Sequence, residues 1–408
     1  MSRIVMKFGG TSVDGLERIR NAASRVQREV EAGNQVIAVV SAMAGKTSEL
    51  ADTVSNLSPI FDAREYDTVV SSGENVTAGL MAIALQNLGI PARSWQGWQI
   101  PVRTNSAHGA AKIEEIGTDA ICAKFDEGMQ VAVVAGFQGM TSDHRVSTLG
   151  RGGSDTSAVA LAAAFDCQRC DICTDVSGVF TADPRLVSSA RRLDRVSYEE
   201  MMELASLGAR VLHTRSVELA MRNNVRLRVL SSFSDEPGTL VCNEEDIMEA
   251  RAVSGVAHSR NEAKITMISV ADRPGIAATI FGRLADVGVV VDMIVQNISE
   301  EGRTDITFSC PVEDIPKAEQ ALDELLKSAA VRYREIIKDT EVCKLSVVGI
   351  GMRSQSGVAA RMFKALADEN INIAVIATSE IKISVLVGRK YMELGVQALH
   401  DAFGLDKG

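Results

Sequence analysis

The C-terminal third of the chain repeats itself, and that repeat restricts the fold more than any other feature. An offset of 82 residues carries Gly275, Ala277, Ala278, Phe281, Leu284, Ala285 and Asp286 onto Gly357, Ala359, Ala360, Phe363, Leu366, Ala367 and Asp368, with identity at all seven positions. Val289, Val291 and Ile294 fall on Ile371, Ile373 and Ile376. Agreement this dense marks a duplicated unit. Each copy opens on an apolar run (Lys264 to Val270; Lys344 to Ile350) and turns at a glycine. An amphipathic helix, two strand-like runs and a final helix follow, so each copy reads as βαββα(β). The copies are expected at residues 263–340 and 341–408.

The preceding residues follow another pattern. Val36 to Ser41 and Gln130 to Gly136 are continuous apolar runs, and Leu227 to Leu230 is a shorter one. Such runs suit parallel strands buried on both faces. Helical stretches separate them: Gly15 to Ala32, Glu74 to Leu88 and Ser154 to Phe165. Alternation of this kind predicts an α/β fold, a mainly parallel sheet sandwiched by helices. Gly136 to Gly150 breaks the alternation and reads as a hairpin around Ser142-Asp143. The turn-rich Ser231 to Gly238 and the acidic Asn243 to Asp246 place the boundary near 245–262. The expected layout is a first domain over 1–245 and a linker over 246–262.

Composition narrows the partners. The net charge of -10 argues against nucleic acid and anionic membranes. No apolar run reaches 18 residues, and the N-terminus enters a strand without a signal-peptide pattern, so a soluble cytoplasmic protein is expected. Seven cysteines, an odd number, suggest reduced thiols. Cys167, Cys170 and Cys173 imitate a cluster motif but lack a nearby fourth ligand, so a structural role is expected, with Asp171 to Asp175 a strand end in which Cys acts as a small hydrophobe. The five histidines have no ligand-like spacing, and no protein metal site is expected.

Five motifs remain. Lys7-Phe8-Gly9-Gly10-Thr11-Ser12 ends an apolar run with a lysine, two glycines and two hydroxyls. Glycines let backbone N–H groups approach an anion, and the lysine adds a point charge. Ser41 to Thr47 ends in Gly45-Lys46-Thr47 but lacks the earlier glycine of a phosphate loop, where Val40 stands. Ser71-Ser72-Gly73-Glu74-Asn75 offers a carboxylate that caps a helix or binds an ammonium. Gly150-Arg151-Gly152-Gly153-Ser154-Asp155-Thr156 opens a helix, and Arg151 can grip a carboxylate through two parallel bonds. Thr174-Asp175-Val176 through Asp183-Pro184-Arg185 suits a nucleotide or an ordinary loop.

In this order, and followed by two units that resemble the ligand-sensing ACT domain, the motifs resemble the aspartate kinases of the amino-acid kinase family. The resemblance covers essentially the whole chain and is nearest to the monofunctional, feedback-regulated form. It implies transfer of the γ-phosphoryl of ATP, with Mg²⁺ bridging the phosphates, to the β-carboxylate of L-aspartate. Lys7 would neutralise the transferring group, the Gly9 and Gly10 amides would help hold that group beside Phe8, and Asp155 would orient the lysine or its neighbours. Arg151, with Gly152, Gly153 and Ser154, would clamp the α-carboxylate, supported by Ser41 and Thr47. Glu74 would take the α-ammonium. Thr174, Asp175, Phe180, Asp183 and Arg185 would surround the nucleotide. Arg210 stands where relatives commonly carry a lysine, which keeps the charge but changes its geometry.

The resemblance also implies feedback by lysine and/or threonine. Asp272, Gly275 and Ile276 would bind an effector carboxylate, and Asp292, Met293, Ile294, Gln296 and Asn297 its remainder, with Ser379 and Glu380 from the second copy. That copy has Ser356 where the first has Pro274, and it lacks the His-Pro-Gly-Val-Thr of many regulated relatives. ACT pairing implies a homo-oligomer, and a second start at Met248 would yield a free regulatory subunit. Three alternatives stay open: another amino-acid kinase, a non-catalytic amino-acid sensor, and a dehydrogenase resting on Gly349-Ile350-Gly351.

Overall fold

The computed structural model describes residues 2–206, 211–247, 251–297 and 302–407. The chain forms two compact units. One comprises Met1–Val179 and Arg192–Met248, the other Phe180–Arg191 and Glu249–Gly408.

The first unit is built on eight strands: β1 (Arg3–Phe8), β2 (Gln35–Val40), β3 (Ala92–Trp95), β4 (Val131–Ala135), β5 (Arg169–Thr174), β6 (Arg195–Ser197), β7 (Leu227–Ser231) and β8 (Thr239–Cys242). Their order is β6-β8-β7-β5-β1-β2-β4-β3. Every pairing is parallel except β7 with β8. Helices α1 (Leu16–Glu31), α2 (Lys46–Leu57), α3 (Ser72–Asn87) and α4 (Gly153–Ala164) intervene. Ile4, Met6 and Phe8 of β1 join Ile19, Ala22 and Val26 of α1 and Ala78, Met81 and Leu85 of α3 in one core. Val5, pointing to the other face, is equally buried. A central strand apolar on both sides explains the unbroken runs in the sequence. The expected hairpin forms from Gln138–Met140 and Val146–Thr148 in a separate four-stranded sheet. Cys170 and Cys173 are buried on β5, and burial pushes the Cys173 thiol up to about 12. They are strand hydrophobes, as expected.

The second unit contains both copies of the repeat. Strands β9 (Gly255–Ala271), β10 (Asp292–Gln296) and β11 (Arg303–Cys310) alternate with helices α5 (Ile276–Asp286) and α6 (Ile315–Lys327). Strands β12 (Glu335–Val348), β13 (Ile373–Thr378) and β14 (Lys382–Gly388) do so with α7 (Val358–Asp368) and α8 (Met392–Ala402). The two copies share one six-stranded sheet, β10-β11-β9-β12-β14-β13, joined where β9 runs antiparallel to β12. Residues 255–262, expected within the linker, are therefore strand. Gly255 to Ser259 pair with Val348 to Lys344, so a cross-copy ladder orders a short stretch of mixed polarity, with Val256 and Ala257 buried. Gly275 and Gly357 both sit at φ +89 as the N-caps of α5 and α7, a left-handed position that favours glycine.

Phe180–Arg191 leaves the first unit and joins the second. Ala182 and Val187 pack in the core of the second copy with Leu345, Met362 and Val396. The Thr181 hydroxyl lies 2.9 Å from Nε2 of the fully buried His400.

Candidate active site

In an open parallel sheet, ligands bind beyond the carboxyl ends of the strands, where connections diverge to either side. Strand β1 lies between β2 and β5 and ends in Lys7-Phe8. Beyond it lies a cavity of about 340 Å³. Lys7 and Gly10 line it from β1 and the turn that follows. Ser41, Gly45 and Thr47 come from the β2–α2 connection, Glu74 from α3, and Gly150 to Asp155 from the start of α4. The first turns of three helices thus border one cavity, and unsatisfied N–H groups there favour an anion.

Two carboxylates line the cavity, Asp155 and Glu74. Lys7 Nζ lies 2.6 Å from Asp155 Oδ1, with side chains 11% and 13% exposed. The lysine is held at the strand end, and Cys173 O and Lys7 Nζ are the heavy atoms nearest a Cβ built on Gly9. Glu74 is 3% exposed. Its Oε1 accepts from the Ala42 N–H at 3.1 Å, whereas Oε2 is buried with no hydrogen-bond partner. Burial pushes its carboxyl up to about 7, and the Ala42 N–H only partly opposes this. A buried acceptor without a donor is costly, and a cationic ligand would satisfy it.

Glycines make the space. A Cβ on Gly73 would lie 2.7 Å from Ala42 Cβ, and one on Gly10 would lie 2.9 Å from the Ala42 carbonyl oxygen. Gly152 combines φ +70 with a Cβ position 2.4 Å from His213. Arg151 is exposed beside it and pairs with no carboxylate among the described residues.

The structure brings Lys7, Gly10, Ser41, Thr47, Glu74, Arg151, Gly152, Gly153, Ser154 and Asp155 together. It corrects two expectations at the first motif. The Gly9 N–H donates to Cys173 O at 3.2 Å, because the β1–β5 ladder continues one residue past Phe8. It is not free for a phosphoryl group. The Phe8 side chain is fully buried in the core and offers a ligand nothing. Thr174 and Asp175 stand at the end of β5, in the same unit as Lys7. Phe180, Asp183 and Arg185 belong to the second unit, where Asp183 and Arg185 pair with each other at 2.7 Å. Arg210 lies outside the described residues. Sequence reasoning missed Phe137, which lines the cavity at φ +70 two residues after β4, and the Ala42 N–H that holds Glu74. A larger cavity of about 450 Å³ lies beside Arg103, Glu115 and His144, and no motif residue lines it.

Of the proposed effector residues, Asp292 is ion-paired with Lys344 at 2.6 Å, and Lys344 also reaches Glu262 at 2.8 Å. Burial alone would raise the Asp292 carboxyl, but Lys344 outweighs it and holds the group below its usual range. Glu380 pairs with Arg353. Met293 is buried, Ile294 is exposed, and Gln296 and Asn297 face solvent. Among the described residues no group of three or more His, Cys, Asp or Glu is placed to hold a metal.

A strand-end lysine, glycine turns and helix N-termini line one cavity on an α/β sheet, an arrangement that suits an anion. Comparison with known proteins gives it a family. The model of the Amino acid kinase family matches residues 2–231, and ACT domain models match 264–329 and 345–403. The aspartate kinase of Pseudomonas putida is 49% identical over all of this chain and 98% of its own. An aspartokinase of Pseudomonas aeruginosa is 50% identical over the same shares. The crystal structure of Escherichia coli aspartokinase III with aspartate and ADP superposes with a TM-score of 0.80 at 28% identity, covering 98% of this chain and 99% of that one. The chain belongs to the amino acid kinase family, in its aspartate kinase branch, and is a phosphotransferase with a carboxyl acceptor.

Proposed function

We propose that the chain phosphorylates the β-carboxylate of L-aspartate with ATP, giving 4-phospho-L-aspartate, the first step toward lysine, threonine and methionine. The observation that carries this reading is one cavity lined both by the ammonium of Lys7, paired with Asp155, and by the buried, unpartnered Glu74 Oε2, which suits a ligand ammonium. The E. coli enzyme, crystallised with aspartate and ADP, supports it.

The acceptor carboxylate is already a nucleophile at neutral pH, so no general base is needed. The obstacle is repulsion between two anions, which positioning and charge neutralisation relieve. Glu74 holds the α-ammonium and Arg151 the α-carboxylate, with Ser41, Thr47 and Ser154 around them. These contacts aim the β-carboxylate at Lys7. Lys7 and the Gly10 amide stabilise the transferring group, and Asp155 keeps the lysine in place. Thr174, Asp175, Phe180, Asp183, Arg185 and Arg210 are assigned to the nucleotide. Mg²⁺ would be held chiefly by the phosphates, with Asp155, beside Lys7, the acid that could contribute from the site, and would neutralise their charge. Incubating the protein with ATP and a panel of amino acids should release ADP with aspartate, and hydroxylamine should trap the acyl phosphate. ADP release with glutamate or N-acetylglutamate but not aspartate would reject the assignment.

The second unit is proposed to confer feedback inhibition by lysine and/or threonine, using Asp272, Gly275, Ile276, Asp292, Met293, Ile294, Gln296, Asn297, Ser379 and Glu380. E. coli aspartokinase III in complex with lysine and aspartate, a T-state structure, superposes with a TM-score of 0.76 at 27% identity. An effector ammonium at Asp292 would have to displace Lys344. Millimolar lysine or threonine should bind by titration calorimetry and lower activity, and no binding of either would remove this role. The domain limits proposed are 1–245 for the kinase and 263–340 and 341–408 for the ACT units. The protein is assigned to the cytoplasm as a homo-oligomer paired through its ACT units. Met248, the proposed internal start, lies outside the described residues. No helix among them is long and apolar enough to cross a membrane.

A further inference from the structure

One buried carboxylate lies outside the machinery just described yet touches the segment that carries Arg151. Asp67, on the helix Ala63–Val70, is 0% exposed. Its Oδ1 accepts from the Thr148 hydroxyl at 2.6 Å and the Gly109 N–H at 3.1 Å. Its Oδ2 accepts from the Thr148 N–H at 2.9 Å and lies 2.8 Å from His108 Nδ1. The Gly109 N–H also lies 3.2 Å from Oδ2. One side chain therefore ties two separate loops together.

Those loops meet at the turn that presents Arg151. Thr148 lies three residues before it, and the Ala111 N–H donates to Thr148 O at 2.9 Å. Gly150, at φ +74, comes so near the other loop that a Cβ there would lie 2.9 Å from Gly109 O. Arg215 completes the tie, donating to Leu149 O at 2.7 Å and to Ala111 O at 2.8 Å. Arg151 itself is exposed and pairs with no carboxylate among the described residues, so its backbone sets where the guanidinium stands. A buried acceptor with this many donors rigidifies what it touches.

We infer that Asp67 is a positioning residue for amino-acid binding: by clamping Gly109 and Thr148 it fixes the Gly150-Arg151 turn against the substrate carboxylate. This rests on the reading of Arg151 given above. Asp67→Asn keeps the shape but places an amide among N–H and O–H donors, which loosens the clamp without emptying the site. The expected result is a rise in the aspartate KM of about tenfold or more, with kcat and the ATP KM within about threefold, since small displacements of a binding group are costly. In an Arg151→Ala background the same substitution should add almost nothing, because the group it positions is gone.

A full additive loss in that background, or an unchanged aspartate KM in folded Asp67→Asn protein, overturns the inference. Should Asp67→Asn fail to fold, Thr148→Val removes one donor to the same carboxylate and Thr148→Ser restores it. The valine variant should raise the aspartate KM about threefold or more and the serine variant should recover it. Equal KM values in the two overturn the inference. An Arg151→Ala enzyme with a normal aspartate KM would instead refute the reading of Arg151 itself.

Discussion

Lys7→Ala protein should fold normally, bind aspartate with a KM within about threefold of the parent, and turn over about 10³-fold more slowly. The size follows from what one charged donor contributes to a developing anionic transition state in a shielded site, where removing a single donor costs about 10² to 10³ in kcat. The Lys7 side chain is 11% exposed, so water reaches it poorly and cannot replace it. Glu74 and Arg151 are separate residues on α3 and at the mouth of α4, so ground-state affinity for the amino acid should survive. The split between kcat and KM is the diagnostic, because losing an interaction made only in the transition state lowers kcat alone. Asp155 is left without its partner in this variant, and a melting curve controls for that. Lys7→Arg should recover little, since a planar fork does not reproduce a compact ammonium 2.6 Å from Oδ1. A variant that loses aspartate affinity while keeping its turnover would remove Lys7 from the phosphoryl end.

What the sequence made legible and what it hid divide along physical lines. Seven identities at one spacing revealed the duplicated unit, because the same helix-on-sheet packing demands the same residues twice. Unbroken apolar runs revealed the parallel strands, since burial on both faces leaves no polar alternation. Local glycine patterns revealed Gly10, Gly152 and Gly153, whose Cβ atoms would collide with neighbours. Contacts made by distant backbone left no such trace. Gly9 looks like Gly10 in sequence, yet the ladder to Cys173 uses its N–H. His258 to Asn261 looks like linker, yet the second copy pairs along the surrounding strand. Ala182 looks like part of a nucleotide loop, yet its side chain, with that of Val187 just beyond the motif, fills the core of the second copy. Asp67, within a helix that starts at Ala63, belongs to no sequence motif, and its burial comes from segments distant in the chain that fold over it.

Aspartate binding should strengthen as pH rises through about 7, and Glu74 should be the cause. In the ligand-free protein, burial raises its carboxyl from an ordinary 4.5 to about 7, so below that pH the group is mostly neutral. An α-ammonium placed against Oε2 favours the ionised form and lowers that value again. Binding below pH 7 must therefore expel a proton. The aspartate KM should climb about tenfold for each pH unit below 7 and flatten above it. Aspartate itself does not titrate there, since its carboxylates ionise at or below about 4 and its amine, raised by the molecule's own two carboxylates, well above neutrality. Glu74→Gln removes the titrating group and its charge. Its KM should be raised at pH 8 by about tenfold or more, the low end of what truncating a charged hydrogen-bonding partner costs, and should stay nearly flat between pH 6 and 8. Stability supplies an independent reading of opposite sign. A carboxyl whose folded value lies above its unfolded one costs stability as pH rises from about 4.5 to about 7, on the order of 3 kcal/mol for a shift of this size. Ligand-free Glu74→Gln protein should therefore lose less of its melting temperature than the parent between pH 5 and 8. A parent enzyme with a flat aspartate KM from pH 6 to 8, or a Glu74→Gln enzyme that keeps the parent KM, would show that the ammonium binds elsewhere.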